Sequence, residues 1–275
     1  MRSSRYHESM LDMNLRHRIK TLITPRVKGV DWADPVGTLS RRWSQLPLGP
    51  DSRVDTTELL KMKDGELLSA WESARTALTT GEQFGHRGWY HRLYADTMQG
   101  KKVLDIGSGL AVDSITFAQR GARLTFVDLV VANLEVLERV TGLLGIRGAN
   151  FVLLEDFSSL QPLPRDFDTI MAMGSLHHAP SSVIQPEVRE LTRHLKVGGR
   201  WLQLAYPKSR WLKQGSPPFS KWGQFTDGTG TPWAEWYDLP KVMALLSPAR
   251  FDVVLDYEFY NCDFIWFDLI YRGGA

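Results

Sequence analysis

Cysteine is almost missing from this 275-residue chain. Cys262 stands alone, so no internal disulfide can close and no cysteine-based zinc site can be assembled. The histidines outside the adjacent pair at 177 and 178 are His7, His17, His86, His91 and His194; they lack ligand spacing with one another, and no metal is expected. Excess charge is also scarce. Lys plus Arg number 33 against 31 Asp plus Glu, a formal net charge of +2, too small to imply a nucleic-acid partner by itself. Residues 1–50 do carry nine Lys/Arg and four Asp/Glu, a net of +5, which a solvated helical face explains as well as an anionic partner does. No uncharged apolar run reaches the roughly 18 residues of a membrane span. Glu8, Asp12 and Arg16 interrupt the N-terminus before an apolar region of signal-peptide length can form. A soluble, cytoplasmic protein without a membrane partner is the expectation. Repeats and low-complexity tracts are absent too, and 43% hydrophobic with 23% charged residues is the usage of a chain that folds.

What is present is alternation. From about residue 102, apolar runs of strand length (102–106, 123–127, 150–154, 168–173 and 200–206) alternate with amphipathic stretches near 112–120, 131–144 and 181–195. That order is the sequence form of an α/β protein with a parallel sheet. Within 131–144, Leu134, Leu137, Val140, Leu143 and Leu144 recur at three- and four-residue steps, so one stripe can pack on the sheet. Residues 207–236 break the pattern and hold four of the ten tryptophans. A loop of this length with such aromatic content points to function rather than disorder. After a short helix near 239–246 come FDVVLDYEFY and DFIWFDLIYR, separated by Asn261 and Cys262, a link short enough to permit only antiparallel pairing. The first hundred residues show helical patterning near 7–23, 64–79 and 87–98. Their apolar residues are too few for a second core, so residues 1–98 are expected to form a helical cover on a domain spanning 99–275.

The chemistry-bearing segment is VLDIGSGLAVDS, Val103 to Ser114, which sets Asp105, Gly107, Ser108 and Gly109 at the end of the first strand and the start of a helix. Parallel sheets bind ligands at that position. Glycines there permit a tight turn and a close approach of ligand atoms to the backbone. Asp105 is expected to order the N–H groups of the loop. A dinucleotide fingerprint would place its third small residue at 112, where Val112 stands, which opposes a nicotinamide or flavin cofactor.

The DxGxG pattern after Val-Leu resembles the first motif of the class I S-adenosylmethionine-dependent methyltransferases, and the resemblance extends over residues 85–272. The family's usual third glycine falls at Ala111, a departure that should crowd the loop. The resemblance implies a doubly wound, mostly parallel seven-stranded sheet with an antiparallel C-terminal strand. It also implies S-adenosylmethionine as cofactor and S-adenosylhomocysteine as product. Asp128, ending the second strand, would accept hydrogen bonds from the ribose hydroxyls, and Leu129 would pack on the adenine. The family's acidic residue after the third strand, which binds the adenine amino group, would be Asp156, or the adjacent Glu155, with Phe157 beside Asp156. MAMGSLHH is similar to the segment that flanks the methionine part of the cofactor and includes Gly174. Upstream, Arg87 and Tyr90, or Tyr94, stand where they could reach the cofactor carboxylate.

On the acceptor side, His177 and His178 are the candidates for taking a proton from an attacking hydroxyl or amine, although adjacent residues do not easily both face one site. Trp233 and Trp236 in the insertion could wall the acceptor. The expected function is methyl transfer to O or N of a small molecule. Three alternatives stand beside it: an RNA or protein methyltransferase docking through the basic N-terminus, a non-catalytic cofactor-binding subunit, and a nucleotide-dependent oxidoreductase.

Overall fold

The computed structural model describes residues 30–47, 53–80 and 84–274; the helix expected near 7–23 lies outside them. Residues from Trp32 onward form one compact unit. Its centre is β3 (Lys102–Ile106), β4 (Arg123–Asp128), β5 (Asn150–Leu153), β6 (Phe167–Met173) and β7 (Leu195–Pro207), all mutually parallel. The strand sequences are nearly continuous apolar runs because helices cover both faces. In β3, Val103, Leu104 and Ile106 are fully buried.

Two strands close the sheet, β9 (Phe251–Phe259) and β10 (Phe264–Tyr271). They pair antiparallel, and β10 also runs antiparallel to β7. Among the described residues the main sheet therefore reads β5-β4-β3-β6-β7-β10-β9, which is the seven-stranded, doubly wound arrangement with an antiparallel C-terminal strand. A two-residue strand, β8 (Trp236–Tyr237), adds to the end of β7. At the β9–β10 turn Tyr260, Asn261 and Cys262 all take left-handed backbone angles, with φ of 53°, 57° and 62°, and the link spans residues 260–263, one residue longer at each end than the apolar runs alone suggest.

One face of the sheet is covered by α7 (Ser181–His194) and α10 (Leu239–Leu246). Ile184, Val188 and Leu191 form the buried stripe of α7, and Val242, Leu245 and Leu246 that of α10. The other face receives α5 (Val112–Ala118) and α6 (Val131–Leu143). In α6 the stripe of Leu134, Leu137 and Val140 is buried as expected, whereas Leu143 and Leu144 are only partly so.

The segment before β3 packs on that second face. It comprises α1 (Pro35–Trp43), a small hairpin of β1 (Gln45–Pro47) and β2 (Arg53–Asp55), α2 (Thr56–Lys61), α3 (Asp64–Thr79) and α4 (Trp89–Tyr94), the last entered through a π-helical turn at Phe84–Gly88. Helix α3 begins where the sequence places it. The Glu66 carboxylate accepts the Lys63 N–H at 3.0 Å, satisfying one of the helix's unpaired N-terminal donors. Leu46, Leu59, Leu67, Trp71 and Tyr90 bury themselves in the same apolar cluster as Val103, Ile115 and Phe126. The Trp71 indole donates to the Leu110 carbonyl at 2.8 Å, fastening α3 to the loop after β3.

The aromatic insertion differs from the expected loop. It holds α8 (Lys208–Lys213) and α9 (Phe219–Asp227) ahead of β8. Trp222 and Ala234 are fully buried beside Tyr206, with Trp211, Phe219 and Trp236 packed against them.

Candidate active site

A cavity of about 450 Å³ opens at the C-terminal ends of β3, β4, β6 and β7. Its volume is that of a small-molecule site, and its position is where strand order reverses about β3. Two groups of residues meet there.

The first group grows out of the β3–α5 loop. Gly107 N–H donates to the Val127 carbonyl at 2.8 Å, and the Ser108 hydroxyl donates to the Asp105 carbonyl at 2.9 Å. Gly107 has φ +65°, and a Cβ there would lie 2.5 Å from Cβ of Ser175, so any side chain would collide with the segment after β6. Ala111 occupies the third-glycine position with φ 47°, a strained conformation for a residue with a Cβ. The crowding expected there takes the form of backbone strain.

Asp128 does the work expected of Asp105. Its Oδ2 accepts the Gly109 N–H at 2.9 Å, while Oδ1 accepts the Val130 N–H at 2.9 Å and the Asn133 amide at 3.1 Å. Burial pushes its carboxyl above the ordinary range against these three donors. Asp105 instead accepts from the Ser114 hydroxyl. Burial lifts its carboxyl to about 7, with Ser114 opposing and the neighbouring carboxylates Asp113 and Asp128 reinforcing. Asp105, Gly107, Ser108, Gly109, Asp128, Leu129 and Gly174 all line the cavity.

Arg87 also lines it, reaching in from the π-helical turn to pair with Asp113 at the start of α5. Burial works to raise the Asp113 carboxyl, but the Arg87 guanidinium, His91 and Tyr90 outweigh it and hold the carboxyl well below its usual range. Tyr90 is a correction. It is fully buried, donates to Asp113 at 2.8 Å and stacks on Trp266 at 4.3 Å. It supports the Arg87–Asp113 pair from behind and is not among the residues lining the cavity. Tyr94 is likewise remote, donating to Asp268 at 2.7 Å.

Asp156 and Phe157 are further corrections. The Asp156 carboxylate is exposed and caps the 3₁₀ turn Phe157–Leu160, accepting the Ser158 N–H at 2.7 Å. Neither residue lines the cavity. The polar group found near Leu129 is Asn133, which lines the cavity and whose buried Oδ1 has no partner.

The second group faces the first. After Gly174, whose φ is +79°, the Ser175 hydroxyl donates to the Ile106 carbonyl at 2.7 Å, and a single 3₁₀ turn spans Leu176–His178. Both histidines line the cavity, although adjacent residues do not easily face one site. Their rings lie 4.1 Å apart. His177 lies 4.3 Å from the Tyr206 ring and His178 lies 4.3 Å from Trp43. Burial holds both imidazoles below their ordinary range, His177 well below, so both are neutral near pH 7.

Asp227, at the end of α9, lines the same wall. Its Oδ1 accepts the Tyr206 hydroxyl at 2.9 Å, and its Oδ2 lies 3.9 Å from His178 Nδ1. One ring nitrogen of each histidine and one Asp227 oxygen all lie within 4.8 Å of one another. This grouping contradicts the expectation of no metal-type constellation, because its third member arrives from a segment with no sequence spacing to the histidines.

Trp233 and Trp236 do not form the acceptor wall. Trp233 is buried, meets Trp32 edge-on at 6.0 Å and offers its carbonyl to His178 at 3.3 Å. Trp236 lies under the Lys241 ammonium, 4.1 Å away. Neither lines the cavity. The wall is built from Trp43, Tyr206, Phe264 and Tyr260, with His86 stacked on Tyr260 at 4.2 Å. Sequence reasoning missed all four; the one available signal is the place of Tyr206 at the end of the apolar run 200–206, on the ligand-binding edge.

Residues 103–199 match the family described as a methyltransferase domain. The ubiquinone biosynthesis O-methyltransferase of Paracidovorax citrulli is 31% identical over 157 residues, covering 54% of this chain and 60% of that protein. Its counterpart in Idiomarina loihiensis is 32% identical over 107 residues, covering 39% and 43%. The chain thus spans three fifths or less of these relatives' length. Among solved structures, magnesium protoporphyrin IX methyltransferase from Synechocystis superposes with a TM-score of 0.52 at 17% identity, over 88% of this chain and 97% of that one. The 1,6-didemethyltoxoflavin-N1-methyltransferase of Burkholderia thailandensis gives 0.51 at 18%, over 84% and 95%. At such identities the structures establish a shared fold.

Proposed function

We propose that the chain is a class I S-adenosylmethionine-dependent methyltransferase that transfers the methyl group of S-adenosylmethionine to O or N of a compact small-molecule acceptor, releasing S-adenosylhomocysteine. The observation that carries this reading is one cavity in which a glycine loop with its carboxylates meets a wall of aromatic rings and neutral imidazoles. The residues present fit the cofactor. Asp128 offers carboxylate oxygens to ribose hydroxyls, Leu129 an apolar surface to the adenine, and the unpartnered Asn133 Oδ1 an acceptor beside it. Arg87 supplies a cation for the carboxylate of the methionine part, and Gly107, Gly109 and Gly174 leave room for it. Bound there, the cofactor supplies an electrophilic methyl group on a sulfonium.

The chain's own contribution is positioning and exclusion of water. Leu39, Trp43, Leu46 and Pro47 close the cavity from α1 and β1, and Ala74, Ala77 and Leu78 from α3. Enclosure by these elements favours a compact acceptor over a macromolecule. His177 and His178, kept neutral by burial, face the acceptor with free electron pairs. The named activity of the curated relatives, methylation of oxygen in ubiquinone biosynthesis, favours a phenolic or enolic hydroxyl. No helix among the described residues is long and apolar enough to cross a membrane; a cytoplasmic setting is part of the proposal.

The test is a thermal melt of the purified chain with S-adenosylhomocysteine, with NAD and with neither. A ligand at about 100 times its dissociation constant stabilises the fold by about 2.7 kcal/mol. A rise with S-adenosylhomocysteine alone supports the reading and opens a screen of phenols, amines and carboxylates with isotopically labelled cofactor. A rise with NAD alone refutes it.

A further inference from the structure

His177 presents a problem that methyl transfer does not solve. The residue is 2% exposed, and neither ring nitrogen has a hydrogen-bond partner. A buried polar atom without a partner is costly and rare in native structures, and a bound ion is one way to satisfy it. Within 4.8 Å of one another lie a nitrogen of this ring, a nitrogen of His178 and an oxygen of Asp227. We propose that His177, His178 and Asp227 bind a divalent first-row transition-metal ion, with its open positions directed into the cavity to receive an oxygen of the acceptor.

The chemistry of the set suits such an ion. Neutral imidazoles and a carboxylate are ligands for zinc, iron(II) and cobalt(II), and three protein ligands leave room for an exogenous one. The carboxylate is oriented for the task. Tyr206 donates to its Oδ1 at 2.9 Å and the Thr226 hydroxyl to its Oδ2 at 2.7 Å, the outer contacts that fix a metal ligand. Arg53 approaches Oδ1 at 3.8 Å, and Arg42 donates to the Asp227 backbone carbonyl at 2.6 Å. These cations lower the affinity for a second positive charge but leave Oδ2, the oxygen nearest His178, directed at the histidines. Bonds of about 2.0–2.2 Å require the three ligand atoms to draw closer than they stand.

The ion's role, though not its binding, rests on the methyltransferase reading. An acceptor hydroxyl coordinated to the ion has a lowered pKa. It releases its proton to solvent, its oxygen bonds to the methyl carbon, and the C–S bond breaks with its electron pair passing to sulfur.

The experiment uses the full chain, freed of metal with a chelator and titrated with Co²⁺ while visible ligand-field absorption is followed. S-adenosylhomocysteine binding is measured on the same samples by calorimetry. One equivalent of Co²⁺ is expected for the unaltered chain, and at least tenfold weaker binding for His177→Ala and for Asp227→Asn, with S-adenosylhomocysteine affinity unchanged in both. Should the alanine variant fail to fold, His177→Gln replaces it. If the unaltered chain takes up no Co²⁺, or binds it no more tightly than Asp227→Asn, the ion site is refuted. Such a result with S-adenosylhomocysteine still bound leaves the methyltransferase reading standing, whereas Co²⁺ uptake without S-adenosylhomocysteine binding rejects that reading and keeps the site.

Discussion

The two halves of the cavity are built differently. The half around the glycine loop is local: Asp105 to Asp113 come from one strand–loop–helix unit, and Asp128, Leu129 and Asn133 come from the next. The opposite half is a convergence of distant segments, with Trp43 from α1, His177 and His178 from the turn after β6, Tyr206 from β7, Asp227 from α9 and Tyr260 from the β9–β10 hairpin. A site assembled within adjacent units leaves a motif in the sequence, whereas one assembled across the fold leaves scattered single residues. The first half is suited to a component common to many enzymes of this fold and the second to whatever is particular to this one.

Substitutions can break this contrast at its strongest point. Gly107→Ala is expected to cost about 3 kcal/mol in urea denaturation, combining left-handed strain with overlap against Ser175. Gly145→Ala, with φ +69° but open space around it, is expected to cost only about 1 kcal/mol. Equal losses would mean that strain alone, and not the contact between the loop and the segment after β6, makes Gly107 necessary.

A second test concerns the Asp105 carboxyl, which stands at about 7 in the folded chain against an ordinary 3.8. The folded state holds this proton where the unfolded state has lost it, so the contribution to stability declines as pH rises from about 4 to about 7. Asp105→Asn abolishes that dependence. Relative to the unaltered chain, the variant should gain stability between about pH 4 and pH 7, by up to about 1.4 kcal/mol per pH unit crossed, and no further above pH 7, as read from paired urea titrations. A constant difference would place the ionised form of Asp105 in the folded state throughout.

On the acceptor half, His178→Ala is expected to lower turnover at least tenfold while sparing S-adenosylhomocysteine affinity, and Trp233→Phe to leave the acceptor KM within about twofold, because Trp233 lies behind the wall. A KM change for Trp233→Phe larger than that for Tyr206→Phe would reverse the assignment. The smallest effect is expected at Asp156→Ala: a slight loss of stability from the lost cap of an exposed 3₁₀ turn, with cofactor affinity unchanged.

This contrast also explains what could be read from the sequence. Strands β3 to β7 announce themselves through apolar runs separated by helices, and the loop through Asp105, Gly107 and Gly109, because hydrophobic period and turn chemistry are local properties. Asp156 misled, since acidic residues after a strand serve equally well as helix caps, and here the Ser158 N–H takes the carboxylate. Tyr90 misled because burial decided its partner. The grouping of Asp227 with His177 and His178 was out of reach: it depends on where α9 docks, which no periodicity in the insertion encodes. The same holds for the tryptophans, where aromatic abundance signals a buried cluster as readily as a binding wall.

The most direct test of the central claim is calorimetric titration of the unaltered chain and of Asp128→Ala with S-adenosylhomocysteine. The account expects one site in the unaltered chain and weakening of ~1–3 kcal/mol in the variant, about fivefold or more, because a ribose partner and the Gly109 clamp are lost together. Equal affinity in the two proteins, or no binding by either, would contradict it.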